Sequence, residues 1–197
     1  MRRISAFRWV GLALAVILVA AGGLLLWGST YVHNTVQSQL STQQIYFPPA
    51  AAFAHPKAGT EITPSMIPSV SQYAGQQMLT GQQAEAYADH FIAVHLTEIG
   101  GGKTYSQLST AALAQPKNLT LANQVAAVFK GTTLRSMLLN AYGWWKVSQL
   151  LFIFAITALA LGGLALIGSV SGFVFGRQAR PQATVIPATE KAPAMAA

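Results

Sequence analysis

Apolar positions gather into two unbroken runs, one near each end of the chain, with shorter helical stripes between them. The first run, Val10–Trp27, follows Arg8; the second lies between Lys146 and Arg177, thirty residues without a charge. A bilayer core of roughly 30 Å takes about 20 apolar helical residues to cross, so each run predicts a transmembrane helix. Past Trp27 the spacing stays helical. Val32, Val36 and Leu40 fall on one side of a polar stalk from Tyr31 to about Thr42, with Gln37 and Gln39 elsewhere. Ile45-Tyr46-Phe47 before Pro48-Pro49 reads as a short extended piece. Pro48, Pro49, Pro56, Pro64 and Pro68 then predict irregular chain to Ser71, because proline fixes φ and removes a donor.

The middle of the chain carries local start and stop signals. Thr80 with Gln83 is a capping-box pattern, predicting a helix over Gly81–Ile99. Gly100-Gly101-Gly102 supplies the stop, since glycine accepts left-handed φ. Thr104 with Gln107 opens a shorter helix to about Ala114. Pro116 interrupts, and Asn118 caps a long helix through Val125, Val128, Leu134 and Leu138 into the second run.

These elements predict an all-α membrane protein with five parts: a cytoplasmic N-terminus, 1–8; a first transmembrane helix, 9–30; a helical extracytoplasmic domain, 31–146; a second transmembrane helix, 147–176; and a disordered cytoplasmic tail, 177–197, punctuated by Pro181, Pro187 and Pro193. The first run is longer than a signal h-region and ends in Trp27-Gly28-Ser29 without a small-x-small cleavage site, so it reads as an uncleaved anchor. Trp9 and Trp27 bracket that span, and Trp144 with Trp145 mark the entry to the second; tryptophan favours the membrane–water interface, making all four expected anchors.

Composition sharpens this picture. The chain is 52% hydrophobic and 9% charged, far below the roughly 25% charged of soluble domains. Its net charge of +7 suggests nucleic acid until it is placed: Arg2, Arg3 and Arg8 precede the first span, and Arg177, Arg180 and Lys191 follow the second. Residues 31–146 carry six basic and four acidic side chains. Basic residues flanking spans mark the cytoplasmic side, so both termini are placed in the cytoplasm of a cell-membrane protein, and nucleic acid is not an expected partner. The chain has no cysteine, which excludes disulfides and thiolate chemistry.

Neither span contains Asp, Glu, Lys, Arg or His, the residues that mark ion pathways and proton relays. The spans do carry small residues. Gly168, Gly172 and Gly176 make two successive GxxxG steps, and Gly11 with Ala15 makes a small-xxx-small step at matching depth. These five positions predict a close helix contact, within the chain or with a partner.

Candidate chemistry is sparse. Gly102-Lys103-Thr104 resembles the end of a phosphate-binding loop, but Thr97 stands where that motif needs its first glycine, and a helix precedes it instead of a strand. Of the four histidines, His33, His55, His90 and His95, only His95 pairs with a carboxylate on one helix face, Glu98 at i+3. His95 and Glu98 are therefore the weak metal candidates, short of the three or four ligands a site needs. Glu85, Asp89 and Glu98 are read as a solvated helix face. No catalytic residue and no cofactor is expected.

Three segments carry a family resemblance: Ser38-Gln39-Leu40 leading to Ile45, the stretch from Ala88 to Leu108 (ADHFIAVHLTEIGGGKTYSQL), and Leu134-Arg135-Ser136-Met137-Leu138-Leu139. Together they resemble an actinobacterial family of two-span membrane proteins of uncharacterised function, some of whose members are labelled aromatic ring-opening dioxygenases. The resemblance implies two membrane helices around an outer domain. The dioxygenase label would require converging histidine and carboxylate iron ligands, which this sequence does not offer. The leading expectation is a non-enzymatic accessory or scaffold subunit, with the lipid bilayer and a membrane-protein partner, or a second copy of itself, as its contacts. The alternative is an extracytoplasmic sensor or ligand- or metal-binding module.

Overall fold

The computed structural model describes residues 2–57 and 61–178; the side chains of 2–8 and 175–178, and everything in 179–197, lie outside the description. Every element in it is helical, and the single β feature among the described residues is an isolated antiparallel bridge, Tyr46–Gln77. Two helices dominate, α1 (Arg2–Thr42) and α6 (Leu119–Gln178). Both are long and apolar enough to cross a membrane, and only 11% of each apolar window is buried. That low figure separates them from core helices of a water-soluble domain, which would hide the same residues. Neither helix contains proline, and the threonines in α1 return their hydroxyls to the preceding turn, as Thr30 does to Leu26 O and Thr35 to Tyr31 O.

The chain divides into two compact units, one from Met1–Ala20 with Ala158–Ala197, the other Ala21–Thr157. In the first, the two helical segments approach closely through small residues. A Cβ on Gly11 would stand 2.7 Å from Ser169 Oγ, and one on Gly162 would stand 2.9 Å from Val19 Cγ2. Trp9 meets Phe173 edge-on, ring centroids 5.7 Å apart. Buried positions recur every seven residues on each helix: Ala15, Gly22, Ser29 and Val36 on α1, and Ser148, Ala155, Gly162 and Ser169 on α6.

This repeat corrects the expected glycine contact. Gly11 and the buried Ala15 are on the packed edge, but Gly168 is exposed with nothing within 4 Å of a Cβ placed there. Its neighbour Ser169 takes the contact, about 100° further round the helix. Gly172 is half-buried, and the side-chain position of Gly176 lies outside the described residues.

In the second unit, α1 ends where Gln44 adopts φ +50°, and the chain turns back. Residues 45–47 run beside 76–78, with Phe47 N–H donating to Gln76 O and Met78 N–H to Ile45 O, both at 2.9 Å. The proline-rich stretch forms single turns, Ala50–Phe53, Pro64–Met66 and Ser71–Tyr73, with the short α2 (Ile67–Val70) among them. Met66, Val70 and Met78 are wholly buried and join Val36, Leu40, Phe47, Ala84, Ile92, Leu138 and Trp145 in one core. The helix expected over Gly81–Ile99 is present as α3 (Gly81–Tyr87), a π-helical turn (Ala88–Ile92) and α4 (Ala93–Gly100). Its capping box is formed: Gln83 N–H donates to Thr80 Oγ1, and Gln83 Oε1 accepts from Thr80 N–H. Thr104 and Gln107 repeat that arrangement at the start of α5 (Tyr105–Ala114). Asn118 Oδ1 accepts from Leu121 N–H, capping α6.

Candidate functional site

The corner between α4 and α5 is built by glycine. Gly101 and Gly102 take φ of +58° and +75°, while Gly100 stays helical. Gly102 N–H donates to Thr97 O and Gly101 N–H to Glu98 O, closing the helix end. The turn carries Lys103 to the surface beside an open groove of about 460 Å³, whose walls include Thr97, Thr104, Thr132 and Arg135. Three of these polar groups are already engaged: Thr97 Oγ1 donates to Ala93 O, Thr104 caps α5, and Arg135 pairs with Asp89 from the π-helical turn. Among the described residues, the resemblance to a phosphate loop therefore reduces to Lys103 beside a committed arginine.

His95 and Glu98 do not meet. The His95 ring lies 4.7 Å from that of Phe91, with Nδ1 at 3.0 Å from Phe91 O, while Glu98 is exposed. Among the described residues no three of His, Asp and Glu converge into a group that could hold a metal. His95 instead ends an aromatic ladder, Phe47–Tyr87–Phe91–His95, with centroid spacings of 5.4, 4.6 and 4.7 Å. The i, i+4 spacing of Tyr87, Phe91 and His95 stacks them along one helix face. Burial raises the Tyr87 phenol above its ordinary value near 10, and the charge of Glu61 adds to the shift.

The four tryptophans divide. Trp9, Trp27 and Trp144 are exposed, as interface anchors would be, whereas Trp145 is only 6% exposed. Trp145 is thus a core residue, not an anchor: consecutive residues on a helix point about 100° apart, and it is Trp145 that falls on the packed side while Trp144 falls outside it. Its ring packs over Gly81 and lies 4.1 Å from the ring of His33. Sequence reasoning missed this His33–Trp145 contact, which joins positions more than a hundred residues apart; the signal in the sequence was the seven-residue spacing of small residues, Gly22 and Ser29 on α1 and Ser148, Ala155, Gly162 and Ser169 on α6.

An apolar surface stands on the α5–α6 hairpin. Leu113 and Leu119, on either side of its turn, are 82% and 76% exposed. Tyr105 and Phe129, also exposed, touch across the hairpin with centroids 5.3 Å apart. Leu108 is the one wholly buried side chain of α5; Ser109, Ala111 and Ala112 are half-buried and the other six residues of the helix are exposed. No family model matches the chain, and neither a curated protein nor a solved structure matches it.

Proposed function

We propose that this chain is a non-enzymatic, two-span membrane scaffold whose outer domain docks another membrane or envelope protein through the α5–α6 hairpin. The exposed Leu113, Leu119, Tyr105 and Phe129 carry the reading. Large apolar side chains left in water at both ends of one hairpin mark interaction surfaces more often than they serve the monomer. The long exposed apolar faces of α1 and α6 support insertion in a bilayer. The arginines before the first span and after the second support cytoplasmic termini, and hence an extracytoplasmic α5–α6 hairpin.

Two experiments test this. The chain has no cysteine, so a single one at the exposed Ser65 is cleanly addressable. It is expected to react with an impermeant maleimide in intact cells; reaction only after lysis reverses the topology. Mild-detergent purification is then expected to retain a stoichiometric partner that Leu113→Glu with Phe129→Glu releases while melting is unchanged. Equal retention by wild type and variant would remove the hairpin from the interface.

A further inference from the structure

Within the second unit, α1 and α6 flank an open cavity of about 560 Å³. Its lining changes character along the helix axes. His33 stands at the outer end, level with Trp145; Ser29 and Ser148 follow, then Gln149, and Phe152 with Ile153 form the apolar end. The hydroxyls are spent within the helix pair: Ser29 Oγ donates to Ser148 O at 2.8 Å and Ser148 Oγ to Trp145 O at 2.7 Å. Among the described residues the His33 ring and the Gln149 amide make no hydrogen bond. The Trp145 ring is stacked on His33 at a tilt of 36° and stands outside this lining.

We propose that this cavity holds one membrane phospholipid, its ester and phosphate oxygens facing His33 and Gln149 and an acyl chain lying on Phe152 and Ile153. This rests on the membrane reading above. The occupant must offer acceptors at one end and hydrocarbon at the other, which is the chemistry of a lipid and not of a water-soluble metabolite. The depth agrees. His33 lies six residues beyond the exposed Trp27, about 9 Å along a helix, which puts the polar end at the headgroup level of a bilayer whose interface Trp27 marks. Phe152 and Ile153 are half exposed and continue into the apolar face of α6.

The full chain is first floated with vesicles of equal parts phosphatidylglycerol and phosphatidylethanolamine, then moved to detergent and weighed by native mass spectrometry. One retained phospholipid per chain is expected. Retention is expected to fall about tenfold in His33→Leu with Gln149→Leu, and equally in Ile153→Trp, which fills the cavity from its apolar end and leaves every polar group in place. Thr35→Ala, on α1 but outside this cavity, is expected to keep the lipid. If the double variant fails to fold, Ile153→Trp alone decides. Wild type without bound lipid, or folded Ile153→Trp with undiminished lipid, overturns the proposal. A chain that does not float overturns the membrane reading itself, a separate result.

Discussion

Gly81 and Gly143 offer the same substitution with opposite expected signs. Gly81 is the first residue of α3 and is buried against α6. A methyl group there would overlap Trp145 Cβ and Cγ and stand 3.0 Å from Cδ1. These are the root atoms of the indole, fixed to the α6 backbone, so no rotamer change relieves the overlap and one helix must shift. Overpacking of this kind costs about 1–3 kcal/mol, against which alanine's helix preference over glycine returns at most about 1 kcal/mol. Gly143 sits two residues before Trp145 on the same helix, exposed, with nothing within 4 Å. Gly143→Ala should keep that helix gain undiminished. The two variants are therefore expected to differ by roughly 2–3 kcal/mol, or about 5–10 °C in melting temperature at the few degrees per kcal/mol typical of this chain length. Circular dichroism melts in one detergent measure the difference, and Trp145 emission should shift to the red in Gly81→Ala as the packing opens. A Gly81→Ala protein that melts with or above Gly143→Ala would refute the reasoning, because the close approach of α3 to α6 would then carry no energetic consequence.

Three further outcomes follow from the same geometry. Gly101→Val is expected to lose about 1 kcal/mol or more, since φ of +58° penalises a β-carbon, while Lys103→Ala at the exposed end of the corner should melt like wild type; equal melting of the two would dismiss the corner as a structural device. Tyr87 is held protonated in the fold by burial and by Glu61, so the unfolded chain loses this proton first. Its contribution is complete below pH about 10 and is lost as the pH rises through the folded-state value; urea melts between neutral and alkaline pH should show Tyr87→Phe losing less stability than wild type, and parallel losses would contradict this. The Asp89–Arg135 pair is 33% and 38% exposed, so solvent screens it and Asp89→Asn should cost no more than about 1 kcal/mol, shrinking further in high salt; a larger, salt-independent loss would mean that the pair acts as a buried one.

The amino-acid sequence by itself determined whatever is settled within about five residues. Both capping boxes, Thr80 with Gln83 and Thr104 with Gln107, form as their spacing requires, because donor and acceptor belong to one turn. The glycine stop after Ile99 and the Asn118 cap are legible for the same reason. So are the lengths of α1 and α6, which follow from long apolar runs without proline. The tertiary structure decided the rotational phase of those helices. Trp144 and Trp145 are equivalent in composition, and Gly168 is a better packing residue than Ser169 by any local rule. Yet Trp145 and Ser169 are buried while their neighbours are exposed. A long helix can present any face at equal local cost, so phase is chosen by what the partner accommodates: the notch at Gly81 for Trp145, and the gap at Gly11 for Ser169. His33, Trp145 and Gln149 come together by that choice alone, since no interaction shorter than a hundred residues links α1 to α6 there.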